Sequence, residues 1–339
     1  MMTKTNGFVR RIIVFALEVA AVWVIGSLLR EVLPAYPVGI MTIFCINAVL
    51  ALSWNLISGF TGQFSLGHAG FMVVGAYTSA LLMMKAKWPF LPSFITAGLL
   101  SALVGFLVGF PSLRLVGDYL SVVTLGFQYI ITAILNNTTK LTGGGLGLPG
   151  VPYVTSLPVA AVTLTITLWI LSNLVNSKQG RCFVAVKEDE IAAQSVGIDT
   201  TYYKVVAFMI SSFFAGLGGA MIGHYMMYLH PDVFNYAKTI ESVSMVILGG
   251  LGSLTGSLLG AMCITLLPEV FRNLATFLGG MGMLGPANFL RRGWMVFYAT
   301  GFLVLMLTRP QGLLGRRELT WPGFKKWIGR VVVRKEARP

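Results

Sequence analysis

The sequence has 339 residues, of which 55% are hydrophobic and 11% are charged, and its mean hydropathy is +0.78. Soluble domains carry about 25% charged residues, so this composition excludes a soluble fold and predicts a polytopic membrane protein. The apolar runs are continuous rather than alternating, which favours transmembrane helices over a transmembrane β-barrel.

The basic residues are concentrated towards the two ends of the chain. The formal net charge is +13, and nine of the 25 Lys and Arg residues follow Thr308, while three others precede the first apolar run. The positive-inside rule therefore predicts a cytoplasmic N-terminus at residues 1–11 and a basic cytoplasmic tail at residues 309–339. Aromatic residues alternate with Lys and Arg in this tail, which predicts contact with membrane lipid. No basic face interleaves with base-stacking aromatics, so we expect no nucleic-acid partner.

The region between these ends, residues 12–308, is predicted to be the transmembrane domain. A helix needs about 20 apolar residues to cross roughly 30 Å of hydrocarbon. The predicted spans, in chain order, are residues 12–33, 39–57, 64–84, 93–110, 119–135, 158–175, 205–229 and 294–307.

Residues 240–267 are apolar but do not fit a single crossing, because one crossing would place the basic tail outside the cell. Their centre is the glycine-rich segment 249–253, and we predict two short segments of about 11–15 residues joined by a glycine hinge. Broken helices are tolerated where they line a cavity or are buried in protein. The predicted fold class is therefore all-α and polytopic, with about ten transmembrane segments in a range of about eight to ten, some of them broken at glycines.

The glycine hinge has an earlier counterpart in the chain. Residues 57–67 and 247–256 are both glycine-broken stretches followed by Ser or Thr and a helix of small residues, which indicates a weak internal repeat of about 190 residues. Transporters often place substrate where the broken segments of two repeats meet near the midplane. The candidate pathway residues in these stretches are Gln63, Ser65, His68, Gly250 and Ser253. In the alternative interpretation, the polar side chains only satisfy backbone groups freed by the glycines.

A polar island at residues 180–199 interrupts the apolar sequence. Six crossings from a cytoplasmic start place it in the cytoplasm, within a loop at residues 177–204. Residues 186–196 contain no Gly or Pro and predict one short helix, with a left-handed cap at Gly197. Asp199 is predicted to cap a following helix that starts near Thr201. Such a helix between two spans is either a docking element or an ordinary solvated loop.

The sequence shows no catalytic or metal-binding pattern. The glycine-rich residues 141–150 are not followed by Gly-Lys-Ser/Thr, so coupling to ATP would need a separate subunit. No Ser/His/Asp, Cys/His or HExxH arrangement occurs, and Cys45, Cys182 and Cys263 have neither disulfide nor zinc spacing. We therefore expect no enzyme activity of this chain alone, no cofactor and no metal site.

Several motifs resemble one family of transporters. Glu190 to Ala193 followed by Gly197 resembles the cytoplasmic coupling motif of ABC importer permeases. Four segments are similar in sequence to branched-chain amino-acid permeases, in particular to the membrane subunit type called M. They are residues 54–70, 114–120, 246–253 and 309–313. The matches extend from about residue 40 to 315 and therefore cover nearly the whole chain.

This resemblance implies the permease subunit of a bacterial ABC importer, a multi-pass inner-membrane protein that moves branched-chain and other neutral amino acids by alternating access. The implied partners are a second homologous permease subunit, two cytoplasmic ABC ATPase subunits and an external substrate-binding protein. In the family's pattern, the ATPase-coupling positions are Glu190, Ala192, Ala193 and Gly197.

Two alternatives stay open. Permeases for urea, short-chain amides or sugars resemble the chain in the same motifs, so the cargo is not fixed. An ATP-independent channel or an ion-coupled carrier is the alternative from another class, although carriers usually show several carboxylates in the middle of spans.

Overall fold

A computed structural model describes residues 2–112 and 118–280, and beyond these residues 293, 296, 299–300, 303–304, 306–309, 311–315 and 318. Half of the predicted span 294–307 and the predicted interfacial part of the tail lie outside the described residues.

The described chain is almost entirely helical. Its α-helices are α1 Met2–Val32, α2 Ala35–Asn55, α3 His68–Met84, α4 Phe90–Ser112, α5 Asp118–Asn137, α6 Thr139–Thr142, α7 Leu157–Val175, α8 Lys178–Glu188, α9 Glu190–Ser195, α10 Thr200–Met226, α11 Tyr236–Gly249 and α12 Leu254–Gly280. A π-helical turn, Leu56–Phe60, continues α2, and 3-10 turns occupy Gly144–Leu146 and Pro231–Phe234. Two short strands, β1 Leu148–Pro149 and β2 Tyr228–Leu229, pair antiparallel with Leu148 opposite Leu229.

The prediction of an all-α polytopic membrane protein is confirmed. Within the described residues, seven helical segments are long and apolar enough to cross a membrane: Ile13–Val32, Ala35–Phe60, Phe90–Ser112, Tyr119–Asn137, Leu157–Val175, Thr200–Met226 and Leu254–Gly280. The apolar helix α3 is shorter, with 17 residues, and α11 has 14. The count of ten segments remains a prediction.

Two predicted boundaries are wrong. The third span does not begin as a helix at residue 64, because residues 64–67 are non-helical and α3 starts only at His68. The second half of the divided segment is not short, since α12 continues through Pro268 for 27 residues. Proline is tolerated inside a membrane helix when neighbouring helices support the backbone, and α12 packs against both α2 and α11.

The core is formed where α10 packs along α3 and α4, with α2 beside them. These helices approach closely because small residues lie at their contacts. A Cβ atom added at Gly219 would lie 1.9 Å from the Met72 carbonyl oxygen, and one at Gly75 would lie 2.1 Å from the Gly216 carbonyl oxygen. Small residues allow such contact between helix backbones where lipid removes the hydrophobic drive for association.

This packing predicts opposite effects for two glycine-to-alanine changes. Gly219→Ala should destabilise the protein by about 1–3 kcal/mol, because the added methyl group overpacks the α3–α10 contact. Gly126→Ala in α5 is the matched control, since a Cβ atom there meets no atom within 4 Å and alanine favours helix by about 0.5–1 kcal/mol. Thermal unfolding in detergent should rank the proteins as Gly126→Ala at or above wild type, and Gly219→Ala below it. Equal midpoints for the two variants would contradict the packing assignment.

Candidate functional site

The first helix break follows α2. The π-helical turn ends at Phe60, Gly62 has a positive φ of 73°, and residues 62–65 have no regular secondary structure. Side chains within the turn satisfy some of the freed backbone groups: Ser58 Oγ donates to the Gln63 carbonyl at 2.8 Å, and Thr61 Oγ1 donates to the Ile57 carbonyl at 2.5 Å. The break is therefore a fixed turn with its own hydrogen bonds.

The second break separates α11 from α12. Gly250 and Gly252 both have positive φ values, 123° and 82°, which side-chain-bearing residues rarely adopt. Ser253 then caps α12, because its Oγ accepts a hydrogen bond from the Gly256 N–H at 3.0 Å. The glycine hinge predicted at residues 249–253 is thus a turn between two helices.

The two breaks contact each other through Asn55, which is fully buried. Its Nδ2 donates to the Ser253 carbonyl at 2.9 Å, and its Oδ1 accepts from the Gly252 N–H at 2.9 Å. A side chain at Gly59 would collide with this bridge, since an added Cβ atom would lie 1.7 Å from Asn55 Oδ1. We call Asn55, Gly59, Gly252 and Ser253 the break junction.

Three residues of the tail, Leu313, Leu314 and Glu318, cover the second break from the other side. The backbone N–H groups of Leu313 and Leu314 donate to the carbonyls of Leu248 and Gly249 at 2.9 and 3.1 Å. The Glu318 carboxylate accepts from the N–H of Leu254 at 2.7 Å and from the N–H and hydroxyl of Thr255 at 3.1 and 2.7 Å. A negative charge at the N-terminus of α12 also suits the helix dipole.

The predicted coupling loop contains two helices instead of one. Residues 186–196 are divided at Asp189, which adopts extended backbone, ends α8, and accepts a hydrogen bond from the Ala192 N–H at 2.9 Å. Capping of α9 by this carboxylate outweighs the modest helix propensity of Asp. Two other expectations hold: Gly197 has a φ of 85°, and Asp199 caps α10, which starts at Thr200.

The predicted coupling residues occupy different environments. Glu190 forms an ion pair with Lys204 of α10, with 2.6 Å between Nζ and Oε2. Ala193 is buried against the chain, whereas Ala192 and Gly197 are exposed. Their neighbours Ile191 and Val196, which the sequence pattern did not single out, are 77% and 76% exposed. The loop therefore presents apolar side chains to its surroundings on an element fixed by an ion pair.

Lys187 connects this loop to the break junction. Its ammonium group donates to the Gly59 carbonyl. Its side chain also lies against Gly62, where an added Cβ atom would be 3.1 Å from Lys187 Cγ, and against Gly252, where an added Cβ atom would be 3.5 Å from Nζ. One side chain of α8 therefore bonds the backbone of the first helix break and lies next to the second.

The predicted pathway residues are only partly brought together. Ser253 and Gly250 lie at the second break, but His68 is buried and pairs with Ser53, with 2.9 Å between Nε2 and Oγ. Ser65 is buried, with its Oγ 3.4 Å from the Gly67 N–H. The Gln63 amide is buried and has no hydrogen-bond partner among the described residues. The same residues contain no group of His, Cys, Asp and Glu that could hold a metal ion.

Comparison with known proteins agrees with this architecture. The family model described as "Branched-chain amino acid transport system / permease component" matches residues 36–306. The chain belongs to this family.

The similarity extends to two kinds of curated relative. The chain is 34% identical to the high-affinity branched-chain amino acid transport system permease protein LivM of Salmonella typhimurium, over 87% of this chain and 73% of the relative. It is 33% identical to the Escherichia coli K12 protein of that name, over 82% and 69%. It is also 22% identical to the Escherichia coli K12 permease protein LivH, over 80% and 92%. No solved structure matches the chain.

Sequence reasoning missed three residues that hold this site together. Asn55 could have been found from the sequence, because it is an uncharged polar residue within an apolar run. It also lies four residues before Gly59, and residues with this spacing lie on the same face of a helix. Lys187 and Glu318 carried none, since their partners are 128 and 64 residues away in the sequence.

The junction predicts a large effect of one uncharged change. Asn55→Ala should destabilise the protein by about 1–3 kcal/mol for each of the two backbone groups left buried without a partner. Asn173→Ala is the control, because that side chain is exposed and bonds only to its own helix. Thermal unfolding in detergent should show a clear loss for Asn55→Ala and little change for Asn173→Ala. Wild-type stability of Asn55→Ala would mean that the bridge contributes nothing.

Proposed function

We propose that this protein is the membrane permease subunit of a bacterial ABC importer for branched-chain amino acids, working by alternating access. Family membership supports the transport class. The observation that carries the mechanism is the position of Lys187, which bonds the Gly59 carbonyl and lies next to Gly252. It links the loop on which the ATPase would act to the membrane helices at both breaks. In this mechanism, separate ATPase subunits hydrolyse ATP, and this chain performs no catalysis.

The cargo follows from the relatives. The curated relatives are named as high-affinity branched-chain amino acid transport permeases, and we carry that cargo to this chain. Urea, short-chain amides and sugars are the alternative cargoes, because permeases for them resemble the chain in the same motifs.

The partners follow from the same comparison. The chain is similar to both LivM and LivH proteins, which supports a second, homologous permease subunit in the complex. Two cytoplasmic ABC ATPases and an external substrate-binding protein complete the proposed assembly. We place the chain in the inner membrane with both termini in the cytoplasm, with a permease domain at residues 12–308, a coupling loop at residues 177–204 and a basic tail at residues 309–339.

The coupling positions remain Glu190, Ala192, Ala193 and Gly197. In the proposed mechanism the exposed Ile191 and Val196 enter an apolar groove of the ATPase, while the Glu190–Lys204 ion pair ties α9 to α10. Gly197 ends α9 in a left-handed conformation and sets the direction in which the chain leaves the groove. Movement of the ATPase is then transferred to α8, α10 and the break junction.

The candidate pathway residues keep different roles in this proposal. Gly250 and Ser253 act as hinge residues at the junction, and His68 and Ser65 fix the polar backbone before α3. Among these residues, Gln63 is the best candidate to contact cargo. Its buried amide has no hydrogen-bond partner among the described residues, which destabilises the fold unless another conformation or a ligand supplies one.

The coupling role predicts a specific defect at Gly197. Gly197→Val should leave the subunit in the membrane but uncouple ATP hydrolysis from uptake, because a β-branched residue is strained at positive φ by about 1–2 kcal/mol. Gly197→Asn is the matched control, since Asn tolerates the left-handed region. A Cβ atom at this position meets no atom within 4 Å, so any difference arises from backbone conformation. Uptake per ATP at the wild-type level in Gly197→Val would contradict the proposal.

The function as a whole is tested by ATPase stimulation. The chain would be co-expressed with its genomic neighbours, reconstituted in liposomes, and given the external binding protein loaded with leucine or with urea. We expect stimulation by the leucine-loaded protein alone. Stimulation by urea alone would overturn the cargo, and transport by the purified chain without any ATPase would favour the channel or carrier alternative.

A further inference from the structure

A charged pair lies at the middle of the membrane domain, away from the break junction. Lys238 and Glu241 face each other on the first turns of α11, with 2.8 Å between Nζ and Oε2. Lys238 Nζ also lies 3.4 Å from Asn47 Oδ1 on α2, and Asn47 Nδ2 donates to Thr265 Oγ1 on α12 at 3.1 Å. Three helices thus contribute to one polar cluster.

The depth of this cluster follows from the helices that carry it. Asn47 is the thirteenth residue of the 26-residue span Ala35–Phe60, so it lies about 18 Å from each end. Thr265 is the twelfth of the 27 residues of α12. The charges therefore lie near the midplane, which is where transporters commonly bind substrate.

Part of the charged pair is accessible. The side chains of Lys238 and Glu241 are 19% and 35% exposed. Charges at this depth are costly against lipid, and they almost always face the bundle interior or a water-filled cavity. The accessible side of the pair is therefore better explained by a polar pathway than by contact with hydrocarbon.

Two helix N-termini meet beside the pair. α3 and α11 both start in this region, and the Ala69 N–H of α3 donates to Thr239 Oγ1 of α11 at 3.0 Å, next to Lys238 in the sequence. The positive ends of these two shorter helices favour anionic substrate groups. The site is thus polarised, with its positive side at Lys238 and its negative side at Glu241.

We propose that Lys238 and Glu241 form a binding station for the zwitterionic backbone of an α-amino acid in the transport pathway. The Lys238 ammonium group would hold the α-carboxylate, and the Glu241 carboxylate would hold the α-ammonium group. When the zwitterion binds, each of its two opposite charges pairs with one side chain of Lys238 and Glu241. The site therefore gains no net charge. This site would bind only the α-carboxylate and the α-ammonium group, which all amino acids share. Such recognition suits a transporter of several amino acids with different apolar side chains. The proposal rests on the amino-acid cargo proposed above, since urea carries no charge for the pair to bind.

The test uses the reconstituted complex with leucine-loaded binding protein. Lys238→Gln/Glu241→Gln should lower leucine uptake per ATP by about a hundredfold or more, because two hydrogen bonds to charged groups are lost, while stimulated ATP hydrolysis should stay near the wild-type level. The control is Glu269→Gln/Arg272→Gln, another pair spaced by three residues, with 3.4 Å between Nη1 and Oε2 on α12. It should keep wild-type uptake. Normal hydrolysis with unchanged uptake in the Lys238/Glu241 variant overturns this inference alone, whereas absent stimulation in the wild type overturns the proposed function.

A charge exchange separates binding from a structural role. Lys238→Glu/Glu241→Lys keeps an ion pair but reverses it against the helix N-termini, so uptake should remain low. Wild-type uptake in this variant would mean that the pair only stabilises the helices, and the inference would be wrong.

Accessibility provides the second measurement. Glu241→Cys, in a chain whose three native cysteines are replaced by serine, should react with a charged, membrane-impermeant thiosulfonate reagent. Leu103→Cys on α4, exposed at 51% in the middle of the apolar span Phe90–Ser112, should not react. No labelling of Glu241→Cys with or without ATP would place the pair outside any aqueous pathway and overturn the proposal.

Discussion

Breaking a membrane helix frees N–H and C=O groups that lipid cannot satisfy, and this constraint shapes the part of the molecule that holds the two helix breaks. The Asn55 side chain binds the backbone of the second break from α2, while Leu313, Leu314 and Glu318 bind it from the tail. Neither break is satisfied by its own helix alone. The two breaks and the tail therefore form one hydrogen-bonded unit, although residues far apart in the sequence build it.

This arrangement determines how a force on the coupling loop can spread. Lys187 donates a hydrogen bond to the Gly59 carbonyl and lies next to Gly252. Lys204 of α10 forms an ion pair with Glu190, the first residue of α9. A displacement of α8 or α9 would shift the hydrogen-bond partners of both breaks together. Glycines are needed here for two physical reasons, close approach at Gly59 and positive φ at Gly250 and Gly252. Larger residues would push the two helix breaks apart.

The sequence allowed six of the membrane spans, the second hinge and the caps at Gly197 and Asp199 to be predicted, because each depends on local composition or on a single capping residue. Predictions from local sequence failed where contacts between distant residues determine the helix boundaries. The predicted segment ended at residue 267, whereas α12, packed on α2 and α11, continues through Pro268 to Gly280. Asp189 lay inside an apparently uniform helix, yet its capping bond divides that helix. Contacts such as Lys187 with Gly59 or Glu318 with Leu254 leave no periodic trace, so only the folded chain reveals them.

The two polar regions inside the membrane domain differ in how completely they are satisfied, and this difference separates their roles. At the break junction Asn55 is fully buried and its side-chain amide is bonded to backbone through both its nitrogen and its oxygen, so it can hold and move the helices but has no free capacity for cargo. The Lys238–Glu241 pair is partly exposed and has spare capacity, because an ammonium group carries three donors and a carboxylate accepts several bonds. Spare charge near the midplane destabilises the protein unless water or a ligand meets it. A transporter can tolerate this destabilisation if the ligand that pairs with the charges is the transported molecule itself.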